Sequence, residues 1–326
     1  MSDLRPELAS TLSSLYPGFR HGTLPGDAST RRFHRLFLAD GRTRIVMDYG
    51  AAFQGETDDV RLARIFEKAG LPAAGVFDVL PEAGALVLED LGDDTLETAL
   101  ERGDPSREAL YRSAVALAAK ISSRGTQALA RSDRAASPAL DEERFMFEMR
   151  FFLEHYVGAF LGRPDTSREL TETLYGLART VAAHPRVLCH RDYHSRNIMV
   201  RPNGSLALVD IQDARWGPDT YDLASLLRDA YVEIEDSDVE ALIAHYGREL
   251  PEAPDTEAFR SRFALTSAQR MLKALGTFGY QIAVLGRERY RDAVPRTLQR
   301  LARVLPVHTQ TRELAEVLTK SSLLVS

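Results

Sequence analysis

The chain has 326 residues, 44% of them hydrophobic, and a formal net charge of −6 at pH 7. That apolar fraction excludes a disordered chain, and charges of both signs scattered without a basic block exclude a nucleic acid polymer as the default partner. The single cysteine, Cys189, rules out a disulfide framework, no apolar run reaches the length of a bilayer span, and MSDLRPELAS lacks the basic-then-apolar build of a secretory leader, so a soluble cytoplasmic protein without a membrane partner is expected.

A short amphipathic start leads to strand-like runs at 33–38 and 43–48, joined by the turn Ala39-Asp40-Gly41, which predicts a β-hairpin. Residues 56–69 place acids first, apolar positions at helical spacing and a lysine near the end, with Gly70 as the stop. GVFDVLPEAGALVLEDLG then predicts two further strands around a Pro/Gly turn. From Asp94 the periodicity becomes helical, at 95–102, 105–123, 140–161, 166–183, 219–233, 237–249, 255–284 and 288–304. The change near Gly92 predicts an α+β chain of two lobes, a small strand-rich one at 1–91 and a larger helical one at 92–326. There are no internal repeats and no low-complexity tract.

Only residues 187–211 break the helical half. VLCHRDYHSRNIMV sets a polar loop between two apolar runs, and the turn Pro202-Asn203-Gly204 leads to a third run at 206–211. His190-Arg191-Asp192 followed by Asn197 fits the spacing H-x-D-x-x-x-x-N, and Asp210 ends the last strand. Phosphoryl transfer needs a group to orient the attacking hydroxyl and oxygen ligands for Mg²⁺ held against nucleotide phosphates. Asp192 suits the first task, Asn197 and Asp210 the second, with His190 bracing the loop. The competing reading is a set of turn-capping residues beside a buried strand.

These residues, with ALVDIQDARWGPDTYDLASLL and the upstream LVLEDLG, resemble the aminoglycoside phosphotransferase superfamily, whose relatives include choline, homoserine and sugar kinases. The resemblance implies a bilobal protein-kinase-like fold, ATP and Mg²⁺ as cofactors, Asp192 as catalytic base, Asn197 and Asp210 as magnesium ligands, and Asp222 anchoring the catalytic loop from below. A narrower resemblance is carried by GDASTRRFHRL, IVMD, VDIQDARWGPDTYDLASLLRDAY and QRMLKALGTF. These look like the bacterial cell-wall-recycling kinases that phosphorylate N-acetylmuramate and N-acetylglucosamine at the anomeric hydroxyl. Another kinase of the superfamily, acting on an aminoglycoside, an amino alcohol or a different sugar, is the alternative.

On the nucleotide side, the resemblance puts Gly26, Ser29 and Thr30 in a loop over the phosphates, where backbone N–H groups approach an anion. The hinge would be Glu89-Asp90-Leu91, with main-chain groups of Glu89 and Leu91 meeting the adenine edge. The lysine that the general kinase pattern places on the strand RIVMD is absent, with Met47 at its position, and none of the four lysines lies on a strand of this lobe. Either the chain is a nucleotide-binding pseudokinase, or Arg31 or Arg32 supplies the charge, since arginine binds phosphate in bidentate fashion from a different backbone position.

On the acceptor side, a sugar site needs convergent polar side chains near Asp192. The candidates are His194, Arg196, Asp213, Trp216, Tyr221, Arg228 and Asp229, with Gln269, Arg270 and Lys273 on a later helix where positions 270 and 273 share a face. This mix of charges fits a neutral or anionic sugar better than a polycation. MFEMRFF, at 146–152, is expected to pack a helix core and not to face a ligand. Oligomeric state is not legible in the sequence.

Overall fold

The computed structural model describes residues 4–24, 31–103, 107–129, 133, 140–163, 166–230 and 232–324. The chain forms two compact units, Met1–Asp94 with Met199–Gln212, and Thr95–Ile198 with Asp213–Ser326.

The first unit is built on a five-stranded antiparallel sheet in the order β1-β2-β3-β5-β4. Its strands are β1 (Arg20–Thr23), β2 (Arg32–Phe37), β3 (Thr43–Asp48), β4 (Val76–Leu80) and β5 (Ala85–Glu89). The hairpin expected at 33–38 and 43–48 is β2 and β3, in the register Phe33 opposite Met47. Side chains alternate across a strand, and both faces of this sheet are covered. Leu8 and Leu12 of helix α1 (Pro6–Leu15), with Leu4 two residues ahead of it, pack on Leu36, Val46, Ala85 and Val87. Met47 and Leu86, one residue along on each strand, turn to the opposite face and meet Val60 of helix α2 (Asp58–Lys68). Burial on both sides is why β5 reads as a continuous apolar run. Thr57 caps α2 by accepting from the Val60 amide, and Asp58 and Asp59 occupy its first turn, where the helix dipole favours acids.

The hairpin of β7 (Ile198–Val200) and β8 (Leu206–Leu208) turns at Pro202-Asn203-Gly204, with Gly204 at φ +78°. Within the first unit, the Leu208 amide donates to the Pro72 carbonyl at 2.7 Å, and Leu91, Met199 and Ala207 form a small buried cluster.

The second unit is helical. Its helices begin with α3 (Leu96–Glu101) and α4 (Arg107–Lys120), the latter followed by a π turn and the short α5 (Thr126–Ala128). Next come α6 (Glu142–Phe151), which continues as a π-helical stretch Phe152–Phe160, and α7 (Arg168–Ala182). The last five are α8 (Tyr221–Leu227), α9 (Asp236–Glu249), α10 (Thr256–Gly279), α11 (Ala293–Val304) and α12 (Thr309–Lys320). The expected helix at 219–233 spans only α8. Strand β6 (Arg186–Cys189) pairs antiparallel with a strand that the sequence reading did not anticipate, β9 (Arg215–Pro218). The main core joins Phe145, Met149 and Phe152 to Leu174, Leu272, Leu275, Leu301 and Leu318. Cys189 is buried in it, its thiol pushed up by burial and by the carboxylates of Asp222 and Asp219. Among the described residues no helix is long and apolar enough to cross a membrane.

Helix α10 crosses the π-helical stretch so closely that only glycine fits. A Cβ on Gly279 would lie 2.5 Å from the His155 carbonyl oxygen and 2.7 Å from the Tyr156 Cα, and one on Gly276 would lie 2.8 Å from the Phe152 Cα. The obstructing atoms are backbone, so they cannot rotate aside. Gly279→Ala is therefore expected to destabilise the chain by ~1–3 kcal/mol, read as a lower urea midpoint, because overpacking forces backbone shifts.

Candidate active site

The loop between β6 and β7 is held by carboxylates beneath it. Asp222, in the first turn of α8, accepts from the backbone N–H of His190 at 2.6 Å and of Arg191 at 3.0 Å. Arg191 has φ +77°, a left-handed conformation that costs a non-glycine residue ~1–3 kcal/mol and persists only where surrounding contacts impose it. Burial pushes the Asp222 carboxyl up, against the pull of His190 and the two amides. A second carboxylate, Asp229, accepts from the Ser195 amide at 2.8 Å. His190 is fully buried with its ring edge against Tyr193, whose hydroxyl donates to the Ala114 carbonyl at 2.7 Å.

The loop folds on its own carbonyls. The Asp192 carbonyl accepts from the His194 amide at 3.0 Å and from Asn197 Nδ2 at 2.9 Å. Asn197 therefore commits its nitrogen to the loop, which leaves Oδ1 as its hard oxygen donor. Among the described residues no hydrogen-bond donor reaches the Asp192 carboxylate. Burial disfavours its charge, but Lys273, Arg191 and Arg270 outweigh that and hold the carboxyl far below the usual range. Burial pushes His194 down, with Asp229 and Asp192 opposing.

The cations around Asp192 are themselves fixed. Arg270 donates to the Arg191 carbonyl at 3.2 Å and to Ser225 Oγ at 2.7 Å, and stacks 4.3 Å from the Tyr221 ring centroid. Arg191 pairs with Asp213 at 3.1 Å. Lys273 lies 3.8 Å from Glu148, and burial, which works against its charge, is overcome by Tyr221, Glu148 and Asp192. Glu148 was missed by the sequence reading. It lies in MFEMRFF, which packs the core through Met149 and Phe152, yet its buried carboxylate accepts from Gln269 at 2.7 Å. An acid on the apolar stripe of α6 was the available signal.

Other candidates have protein partners within the second unit. Arg196 is held in two bonds by Glu97 of α3, at 2.8 and 3.0 Å. Arg228 pairs with Asp236 at 2.8 Å, and Asp229 lies under the loop. Trp216 is the β9 partner of Leu188, and its carbonyl accepts from Arg186.

In the first unit, Glu89 pairs with Arg201 at 2.8 Å, and Leu91 is buried beside Met199. Asp210 is exposed after β8 at φ +61°, its carboxylate accepting from Gln212. Arg31 lies under the Tyr49 ring and donates to Asp59 at 3.0 Å, whereas Arg32 is exposed. Gly26, Ser29 and Thr30 lie outside the described residues.

A helix-covered antiparallel sheet in one unit, and in the other a helical bundle carrying an H-x-D-x-x-x-x-N loop pinned by a buried aspartate, define a protein-kinase-like fold. Solved structures agree. A choline kinase from Streptococcus pneumoniae aligns with a TM-score of 0.61 and 16% identity over 91% of this chain and 98% of that one. The ADP-bound aminoglycoside phosphotransferase APH(2'')-Ib aligns at 0.58 and 14% identity over 91% and 97%. Likeness at such identities is one of fold. In sequence, the chain is 31% identical to the N-acetylmuramate/N-acetylglucosamine kinase of Neisseria meningitidis serogroup B over 98% of this chain and 94% of that protein. It is 31% identical to the Pseudomonas aeruginosa kinase of the same name over 90% and 86%. The profile of the phosphotransferase enzyme family matches residues 22–260, and the chain belongs to that family. It is a phosphotransferase.

Removing the carboxylate of Asp222 leaves two backbone donors without a partner, each costing ~1–3 kcal/mol where buried. Asp222→Ala is expected to lower the thermal midpoint more than Asp222→Asn, which keeps one acceptor oxygen. Both variants should lose activity beyond what the loss of folded protein explains, because the loop that carries Asp192 relaxes.

Proposed function

We propose that the protein is a cytoplasmic, Mg·ATP-dependent sugar kinase that phosphorylates the anomeric hydroxyl of N-acetylmuramate, N-acetylglucosamine or a close relative, in the reuse of cell-wall sugars. The carrying observation is Asp192, an ionised carboxylate that receives no hydrogen bond among the described residues, on a loop whose backbone is fixed by Asp222 and Asp229. The names of the relatives that match most of the chain support the substrate.

In this reading the acceptor hydroxyl donates to Asp192. A carboxyl held so far below its usual range is a weak base, so Asp192 chiefly orients the hydroxyl and takes its proton late. That suits a loose phosphoryl-transfer transition state, in which little proton abstraction is needed at the outset. For magnesium, Asn197 would offer its Oδ1 and Asp210 its carboxylate as ligands. Among the described residues no group of three or more His, Cys, Asp or Glu could hold a metal, and Mg²⁺ bound to a nucleotide does not need one, since phosphates and water complete its shell. When bound, it would neutralise charge on the phosphates. Main-chain groups of Glu89 and Leu91 would meet the adenine edge. His194, Arg270 and Lys273 line the acceptor side, joined by Arg191 and Tyr221. The acids near them already face cations, Asp213 with Arg191 and Glu148 with Lys273, which suits a neutral or anionic sugar over a polycation.

The decisive assay is ATP turnover against a panel of amino sugars, hexoses, aminoglycosides and amino alcohols, with the product identified by phosphorus NMR. An N-acetylated amino sugar should give an anomeric phosphate, and Asp192→Asn should lose ~10²–10⁴-fold in kcat with nucleotide binding retained. If no member of the panel stimulates turnover, the sugar-kinase reading fails.

Lys273→Met removes the largest charge that stabilises ionised Asp192. The carboxyl must then titrate at higher pH, so the acidic limb of the kcat/KM profile is expected to move upward relative to wild type.

A further inference from the structure

Met47 stands where the general kinase pattern has a phosphate-binding lysine, and the structure brings a different cation to the end of that side chain. Arg31, just before β2, places its guanidinium 3.6 Å from the Met47 sulfur. The same nitrogen donates to Asp59 at 3.0 Å, and the group lies 5.2 Å from the Tyr49 ring centroid. Tyr49 in turn donates its hydroxyl to the second Asp59 oxygen at 2.6 Å. The residues come from three places: the entry to β2, the end of β3 and the first turn of α2.

The register explains the meeting. Alternation on β3 turns Met47 to the sheet face that α2 covers, and α2 begins with Asp58-Asp59. Asp59 is 8% exposed, a place that costs a carboxylate unless it is paired, and Arg31 and Tyr49 supply its partners. Asp210, in the same unit, is near enough to oppose its ionisation further. In protein kinases a strand lysine must pair with a helix glutamate before the nucleotide is correctly held. Here a cation from β2's entry pairs with a helix aspartate at the sulfur of the lysine-position residue.

We infer that Arg31, aimed by Asp59 and Tyr49, is the cation that binds the nucleotide's α- and β-phosphates in place of a strand lysine, and that exposed Arg32 is not. Asp59 and Tyr49 are positioning residues that act through Arg31. A guanidinium suits this task because its planar fork can bond a carboxylate and an anionic ligand at once. The inference rests on the kinase reading, and its test does not need the sugar.

The test is calorimetric binding of a magnesium complex of a non-hydrolysable ATP analogue to the full chain. Arg31→Ala and Arg31→Gln should each weaken binding tenfold or more, the glutamine variant retaining a donor for Asp59 so that folding is preserved. Arg32→Ala should stay within twofold of wild type. Lysine at position 47 would place its ammonium two bonds beyond the site of the methionine sulfur, in the space Arg31 occupies. Arg31→Ala with Met47→Lys should accordingly recover much of the lost affinity. Asp59→Asn should weaken binding in the wild-type background but add little once Arg31 is alanine, whereas a merely structural role would persist in both. Wild-type affinity in folded Arg31→Gln overturns the inference and leaves the kinase reading intact. Failure of the wild type to bind the nucleotide removes that reading itself.

Discussion

Two hydrogen bonds into the Asp222 carboxylate determine the shape of everything above α8. They hold the His190 and Arg191 amides and so impose the left-handed backbone at Arg191, from which the Asp192 side chain departs. Asp229, seven residues further along the same segment, takes the Ser195 amide and secures the far side of the loop. The loop thus rests on anions from one short helix and its exit, while cations of α10 converge on its outer side chain. The arrangement separates two uses of aspartate in a small volume. Asp222 and Asp229 spend their charge on backbone, and Asp192 keeps its own for a ligand.

That separation depends on α10 lying close. Arg270 and Lys273 reach the loop because the helix packs against the π-helical stretch at backbone distance, which Gly276 and Gly279 permit. Arg270 serves three partners, the Arg191 carbonyl, the Ser225 hydroxyl and the Tyr221 ring, so its position is over-determined. Lys273 has a looser contact, 3.8 Å from Glu148, and its ammonium is the freer of the two to answer a bound anion. The close approach and the charge pattern are therefore one design.

The class of fold and the loop were legible in the sequence because their signals are local. Strand alternation, the stop at Gly70 and the spacing from His190 to Asn197 all lie within a dozen residues. The acceptor side was less legible, since charge partners come from afar. Arg196 meets Glu97 at a separation of 99 residues and Gln269 meets Glu148 at 121, distances over which no spacing rule operates. Of the acceptor-side candidates Arg228 and Asp229, the one pairs with Asp236 and the other accepts from the Ser195 amide, partners that no local spacing announces. Strand β9 escaped notice because RWGP, rich in turn formers, gains its extended form only by pairing with β6. Helix α12 follows a proline break, and its apolar face declares itself only in the company of α7 and α10.

The burial of Cys189 has a practical side. The sole thiol of the chain is 1% exposed and donates to the Pro218 carbonyl at 3.4 Å. With its ionisation suppressed by burial and by two nearby carboxylates, it is a poor nucleophile toward maleimides, iodoacetamide or peroxide while the fold is intact. The native chain is thus a silent background for site-directed labelling. A cysteine introduced at an exposed position would then carry a spin or fluorescent probe without first removing the natural one.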